Sequence, residues 1–558
     1  MVERPLCKGI SLMGKPQAKV LFDYRRGMLP GVSGALVPEG AANTAKNVRF
    51  RGGIIERGEY SVYTTNLSLS STDTPTAIFY HSDYKSDVHG ILTTREKIFR
   101  KKNDAAWTQI GTWPTAFHNA DFPIVDGVGV TYVDGVTTKN SFILTDGMNV
   151  LQEINLDAGT VAPLGGSPPI CHTITEFQSH LLLGYTNVGA TPESPYRLQW
   201  SDTGKYNVWT GGNSGFIDLA DEFGPVVGYE RMGDRLYVYK LNCIYEVLYI
   251  GPPRMFDAHQ VVSGRGAASS RAIAHMGTSH CFIGSNGQIY EFNGRELKIL
   301  SEQLELSIPK PRAQIMYNDA LQEVWLLGLY SDNISSEGIF EDPGLHTYIG
   351  SSLLRLHLPT NSWWASETGG TVTCIASPSM IKSIYSTSSP ALSWLTPNDA
   401  EGHVMAGIGE FPTANPSSTL VRGVAEIGYG GYNSASSSWS AHYAFGNLAL
   451  GMSTRVVEVL VELESSTVSS SQSSGDLTLY LVEGTVYTNC GSPTKIYADG
   501  SVSHVLRWKW VSWTMNTTKT NVAPVIVWSP GGISSSIRRV VVRFIPRTRP
   551  FLAPVASE

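Results

Sequence analysis

The sequence predicts an all-β protein: a β-propeller of six to seven blades with an additional C-terminal β-sandwich-like unit and extended terminal arms. Three observations carry this reading. First, short apolar alternations of period two recur from about residue 45 to 400, as in "VTYVDGV", "SFILTDGMNVLQEI", "YERMGDRLYVYKLNCIYEVLYI" and "HCFIGSNGQIYEFNGRELKIL", and helical periodicity of any length is hard to find. Second, the breaks between them are Asp134-Gly135, Asp146-Gly147, Gly233-Asp234, Asn286-Gly287 and Asn293-Gly294, pairs that tolerate the left-handed backbone of tight hairpins. Third, the strands group at 47–113, 123–165, 170–218, 225–262, 270–302, 310–366 and 371–400, a spacing of about 40–60 residues that matches propeller blades.

In chain order, residues 1–44 read as an N-terminal arm that gains order only against a neighbour. "NVRFRGGIIERGEY" (47–60) is a hairpin around Gly52-Gly53, and an isolated hairpin is only marginally stable in water. It is therefore expected to complete a blade and latch the ring. The propeller occupies 45–404. Within it, residues 314–330 form a hairpin around Asn318-Asp319 and "LLRLHLPTNSWW" adds an outer strand ending in Trp363-Trp364, an aromatic pair to bury against the next blade. Beyond 404 the text turns rich in Gly, Ser and Asn, then alternates again in "RVVEVLVELE", "DLTLYLVEGTVY", "SVSHVLRWKWVSWTM" and "RRVVVRFIPR". Residues 405–548 thus read as the sandwich-like unit, with a Ser-rich loop at 466–476, and 549–558 as a C-terminal tail.

Composition narrows the function classes. Charged residues make up 16% of the 558, Gly numbers 55 and Trp 13, a profile suited to a turn-rich β protein with surface to bury against other copies. Net charge is -6, so the whole chain offers no electrostatic basis for sequence-specific nucleic-acid binding, though a mildly acidic wall suits nucleic acid sliding past. Cys7, Cys171, Cys243, Cys281, Cys374 and Cys490 are far apart and read as buried thiols of a reducing compartment. The N-terminus has no apolar signal stretch and no window approaches a membrane span, so synthesis in the cytoplasm is expected and the sequons at Asn66, Asn333 and Asn516 read as chance.

Each constellation with chemical potential has a structural reading beside it. "SDTGKYNVW" (201–209) places Asp202, Gly204 and Trp209 in a turn like the Asp-box of propeller sialidases, but the Trp is too distant, the copy is single, and no pair of carboxylates stands out for glycoside hydrolysis. His275, His280 and Cys281 suggest a metal cluster; their i, i+5 separation is read as failing to converge on one face, which leaves satisfied histidines. Arg538, Arg539, Arg543, Arg547 and Arg549 form the one basic run, with Arg539 and Arg543 on one face, more suited to ion pairs than to a phosphate track. Trp508, Trp510 and Trp513 are assigned to one strand face, for packing or sugar stacking. No HExxH, GxSxG or Walker motif appears, so no catalytic, cofactor-binding or metal residue and no cofactor is assigned, and the chain is expected not to be an enzyme.

"AANTAKNVRFRGGIIERGEY" resembles the opening of β-propeller proteins of bacteriophage tails, through Ala45, Asn47, Val48, Phe50, Gly53, Ile55, Arg57 and Gly58. "RLQWSDTGKYNVWTGGNSGFIDLAD" (197–221) and the stretch 243–300 are similar to later lines of the same proteins, so the resemblance covers about residues 40 to 310. It is strongest to the tail nozzle, or tubular protein B-like, family of short-tailed phages. That resemblance implies a non-catalytic virion structural protein of the phage tail, made in the host bacterial cytoplasm. It implies a homo-oligomeric six-fold ring that continues the DNA-ejection channel, partnered by portal, adaptor and other tail proteins with tail fibres, and passing phage DNA without sequence-specific contacts. The alternatives are a virion-surface host-recognition or carbohydrate-binding module using 405–548, and a propeller glycoside hydrolase.

Overall fold

The computed structural model describes residues 17–29 and 36–302 apart from 39, 52–53, 58–59, 71–72, 104, 116–123 and 135–136, then 304, 313–319, 321–327, 353–366, 371–376, 404–411, 421–429, 441–446, 448–465, 477–483, 486–491, 495–497, 507–528 and 536–546. The turns at Gly52-Gly53 and Gly135, the loops 331–350 and 466–476, Asn333 and the tail 549–558 lie outside the described residues. Among the described residues the regular structure is strand, interrupted by two three-residue 3-10 turns.

Four antiparallel strands hydrogen-bond in sequence order in each of the blades 75–112, 126–163, 171–218, 226–262, 273–299 and 314–366, numbered here 1 to 6. A seventh, 371–429, supplies three strands of its own and takes its outermost from Tyr60–Asn66. The first strand of every blade lies innermost and packs on the first strands of its neighbours, with Thr371–Ala376 closing the circle on Pro75–Ser82. The protein is thus a seven-bladed β-propeller. Gly287 and Gly294 take φ of +84° and +90° in the Asn-Gly turns, a conformation that side chains with a Cβ resist.

Apolar clusters of their own fill the gaps between blades 1 and 2, 2 and 3, 3 and 4, 4 and 5, and 7 and 1. Phe79, Ile91, Ile98 and Trp113 of blade 1 meet Phe142, Leu144 and Ile154 of blade 2, and Phe177, Leu182, Leu198 and Trp200 of blade 3 meet Leu236, Val238, Tyr245, Val247 and Phe256 of blade 4. Burying each such side chain contributes about 1.5–3 kcal/mol. Much of the ring is therefore held by apolar seams between successive blades.

The latch differs from the one expected of the opening hairpin. Its strands, Val48–Arg51 and Ile54–Arg57, pair with each other and then with Ser536–Pro546, in the C-terminal unit. Phe50 and Ile55 are buried there, and the Phe50 ring lies 5.6 Å from Trp364 and 5.9 Å from Tyr443. The strand that follows, Tyr60–Asn66, closes the ring, paired from Tyr60↔Tyr429 to Asn66↔Gly423. Likewise Val404–Phe411 and Val421–Tyr429, read from their Gly- and Ser-rich surroundings as part of 405–548, hydrogen-bond inside blade 7.

The described part of the N-terminal arm packs against its own chain. Gln17–Phe22 pairs with Ser536–Pro546 along its whole length. Gly27, at φ +62°, passes so close to blade 6 that a Cβ would stand 2.7 Å from the Trp363 backbone, and Met28 N donates to Trp363 O at 2.8 Å. Ala42–Lys46 then pairs in parallel with the outer strand of blade 6 at Lys46↔Ala365 and antiparallel with Ala441–Phe445. One hydrogen-bonded sheet thereby runs from blade 6 through the arm into the C-terminal unit.

That unit folds two layers over each other, as a sandwich-like body. The long strands Leu448–Ser465 and Arg507–Trp528 pair over most of their length; the far end of the second joins Ala441–Phe445 and Leu477–Glu483, while the first also pairs with Ser536–Pro546. A register shift between Val456 and Glu458 changes which parity faces inward, so Val456 is buried together with Val459 and Val461. They pack with Leu477, Leu479, Leu481, Trp513, Val540 and Val542 in a core shared with the arm and blade 6.

Candidate functional site

The Asp-box-like turn is a local clasp. Asp202 follows the strand Ser194–Trp200; its Oδ1 accepts from Asn213 N at 2.8 Å, its Oδ2 from Lys205 Nζ at 3.3 Å, and its own N–H donates to Val208 O at 2.8 Å. The backbone bond from Asn213 leads the contacts that hold its carboxyl below the usual range. Trp209 is buried in the seam of blades 2 and 3. The geometry orders a turn.

The basic run resolves into ion pairs across strands. Arg543 Nη1 reaches Glu458 Oε2 at 2.8 Å and Arg539 Nε reaches Glu462 Oε2 at 2.5 Å, each opposite its register partner on Leu448–Ser465. Arg547 and Arg549 lie outside the described residues. Of the three tryptophans assigned to one strand face, the side chains of Trp508 and Trp510 lie outside the described residues, while Trp513 is buried and donates from Nε1 to Gly491 O at 2.8 Å.

Blades 1 and 2 share a buried network that resembles part of a catalytic relay. Asp83 Oδ2 accepts from Asn140 Nδ2 and pairs with His89 Nε2, both at 3.0 Å, and Arg100 Nε donates to His89 Nδ1 at 3.3 Å. With both ring nitrogens occupied, His89 has no lone pair for a substrate. Burial, then Arg100, lowers its pKa below 6.5, partly offset by Asp83. The network ties a turn of blade 1 to the strand Thr137–Thr145.

A polar plug sits among the inner strands, unsignalled in the sequence. Arg271, just before the inner strand of blade 5, donates from Nη2 to Ile78 O of blade 1 at 3.1 Å and to Ile375 O of blade 7 at 3.4 Å, with its guanidinium 4.6 Å from the Phe79 ring. Asp126 of blade 2 accepts from Thr173 Oγ1 at 2.6 Å and Ile174 N at 3.1 Å of blade 3. Burial raises the Asp126 carboxyl. One arginine thus bonds blades that are not neighbours of its own.

The histidines of blade 5 depart from expectation. His275 and His280 flank a four-residue loop and are register partners, so they share a face, and the inner strand of blade 4 brings Glu230 beside them. One potential ligand atom from each of the three lies within 4.8 Å of the other two. Cys281, the next residue along, faces a separate apolar core, and burial pushes its thiol far above the usual range. Counting residues opposite one another across the hairpin would have found this pair. Glu230, brought from another blade, left no local signal.

No family model matches the sequence, and no curated protein does. Solved structures similar to it include YCF48 from Cyanidioschyzon merolae (10% identity, 66% of this chain and 98% of that one, TM-score 0.34) and BBS1N in complex with ARL6DN (8%, 66% and 95%, 0.37). A third is PorZ, an essential bacterial surface component of the type IX secretion system of Porphyromonas gingivalis (8% identity, TM-score 0.32); the match takes in 65% of this chain and 39% of the PorZ chain.

Proposed function

We propose that this chain is a structural subunit of a bacteriophage tail, a nozzle-like tile that assembles into a six-fold ring around the path of DNA ejection. The observation that carries the reading is the location of the residues that resemble the tail family. The 42–57 line forms the strands that join blade 6 to the C-terminal unit, and the 197–218 line forms the outer pair of blade 3 with its Asp202 clasp. These residues build rigid joints. A propeller whose centre is crossed by Arg271 conducts nothing along its own axis, so the lumen of this proposal lies between copies. Heterologous contacts around a symmetry axis close such a ring. Arg539 and Arg543, already paired with Glu462 and Glu458, add little free positive charge to hold phosphates.

Native mass spectrometry and negative-stain microscopy of the full chain test this. A closed ring of six supports the reading. A chain that stays monomeric up to about 100 µM, well above a Kd of about 1 µM, overturns it.

A further inference from the structure

We propose that Glu230, His275 and His280 form a transition-metal site, best suited to Zn2+, that clamps blade 4 to blade 5. The three residues come from three strands of two blades: Glu230 from Val226–Met232, His275 from the end of Ile273–His275, and His280 from the start of His280–Ile283. Two imidazoles and a carboxylate are the donor set of three-ligand zinc sites, which leave a fourth position to water, whereas Mg2+ and Ca2+ prefer oxygen alone.

Among the described residues the Glu230 carboxylate is paired with no lysine or arginine: its Oε1 accepts from the neighbouring Arg231 N at 3.2 Å and faces His275 Nδ1 at 3.8 Å, while the Arg231 guanidinium turns away, 3.9 Å from Glu176 and 5.4 Å from the Phe177 ring. A divalent cation between the three groups would supply the positive charge that this carboxylate does not have beside it.

His280 is also oriented in advance. Its Nε2–H donates to Arg231 O at 3.0 Å, which leaves the lone pair on Nδ1, where the Tyr239 hydroxyl now donates at 2.9 Å. Unlike the His89 bonds to two charged groups, the neutral hydroxyl can rotate away, so a metal would take its place at Nδ1 while the bond to Arg231 O holds the ring, the usual arrangement behind a ligating histidine. Bond lengths of about 2.0–2.2 Å set ligand atoms about 3.3–3.6 Å apart in a tetrahedron, so atoms now within 4.8 Å close by about 1 Å on binding. His275, exposed at the loop, is the group free to make that movement.

The test uses the full chain stripped with EDTA and returned to metal-free buffer, titrated with ZnCl2 by calorimetry and followed by thermal melting. The expected result is about one Zn2+ per chain with Kd in the micromolar range or tighter, a raised melting temperature, and no effect of MgCl2. H275A and E230Q, both at partly exposed positions that spare the buried His280, should each weaken zinc binding at least tenfold, roughly the loss of one ligand, while H259A on the outer strand of blade 4 should not. No binding at about 100 µM Zn2+, or affinity unchanged in H275A and E230Q, overturns the proposal. The readout is independent of ring assembly, so this site and the tail reading fail separately.

Discussion

A buried charge is most costly when its partner is missing, and Glu323 and Arg355 in blade 6 are both fully buried with Nη2 and Oε2 3.0 Å apart. The guanidinium is sandwiched in a cross-strand row, 3.5 Å from the Trp325 ring and 5.7 Å from Trp364, and Trp325 Nε1 donates to the same carboxylate oxygen at 3.0 Å. Removing the acid strands the arginine among indoles. Glu323→Ala should destabilise the protein by about 3–5 kcal/mol in urea unfolding, and combining it with Arg355→Met should recover part of the loss. A double variant no better than the single one would show that the pair does not act as a unit. The sequence announced Trp363-Trp364, but the register that seats Arg355 between Trp325 and Trp364 depends on a hairpin pairing invisible to composition.

At the scale of the element, the latch is one strand held by one ladder. Leu67 N donates to Arg422 O, so by the two-residue repeat of antiparallel pairing Thr65 also points its N–H inward, and Thr64 points its own away. Thr65→Pro removes a ladder bond and should cost about 1–3 kcal/mol, with faster proteolysis near the 60–66 strand, while Thr64→Pro should be the milder change. Equal effects would mean the strand is not held by that ladder. Blade spacing and turn chemistry were legible because each blade is built from neighbouring segments, with hairpins that need Asn-Gly and similar pairs. The latch was not, because Tyr60–Asn66 lies beside blade 1 in sequence and pairs with residues 423–429. The zinc candidate divides in the same way: His275 and His280 were readable as a hairpin pair, and Glu230 reached them only through packing.

For the whole molecule, the decisive feature is the sheet that leaves blade 6, passes through Ala42–Lys46 and enters the C-terminal unit, with Tyr24, Phe50, Trp364, Tyr443 and Phe445 packed at the crossing. Two bodies that share strands and one apolar core cannot lose order separately without exposing both. Thermal or urea unfolding followed by tryptophan fluorescence and by circular dichroism should therefore give one coincident transition. Two resolved steps would show the units to be energetically independent.

The latch also imposes a timetable. Residues 60–66 leave the ribosome early, yet the strand that receives them, Val421–Tyr429, is made more than three hundred residues later. At about 5–20 residues per second that is a wait of roughly 20–70 s, during which an unsatisfied edge strand is open to mispairing. Newborn chains would be most in need of a chaperone in that interval.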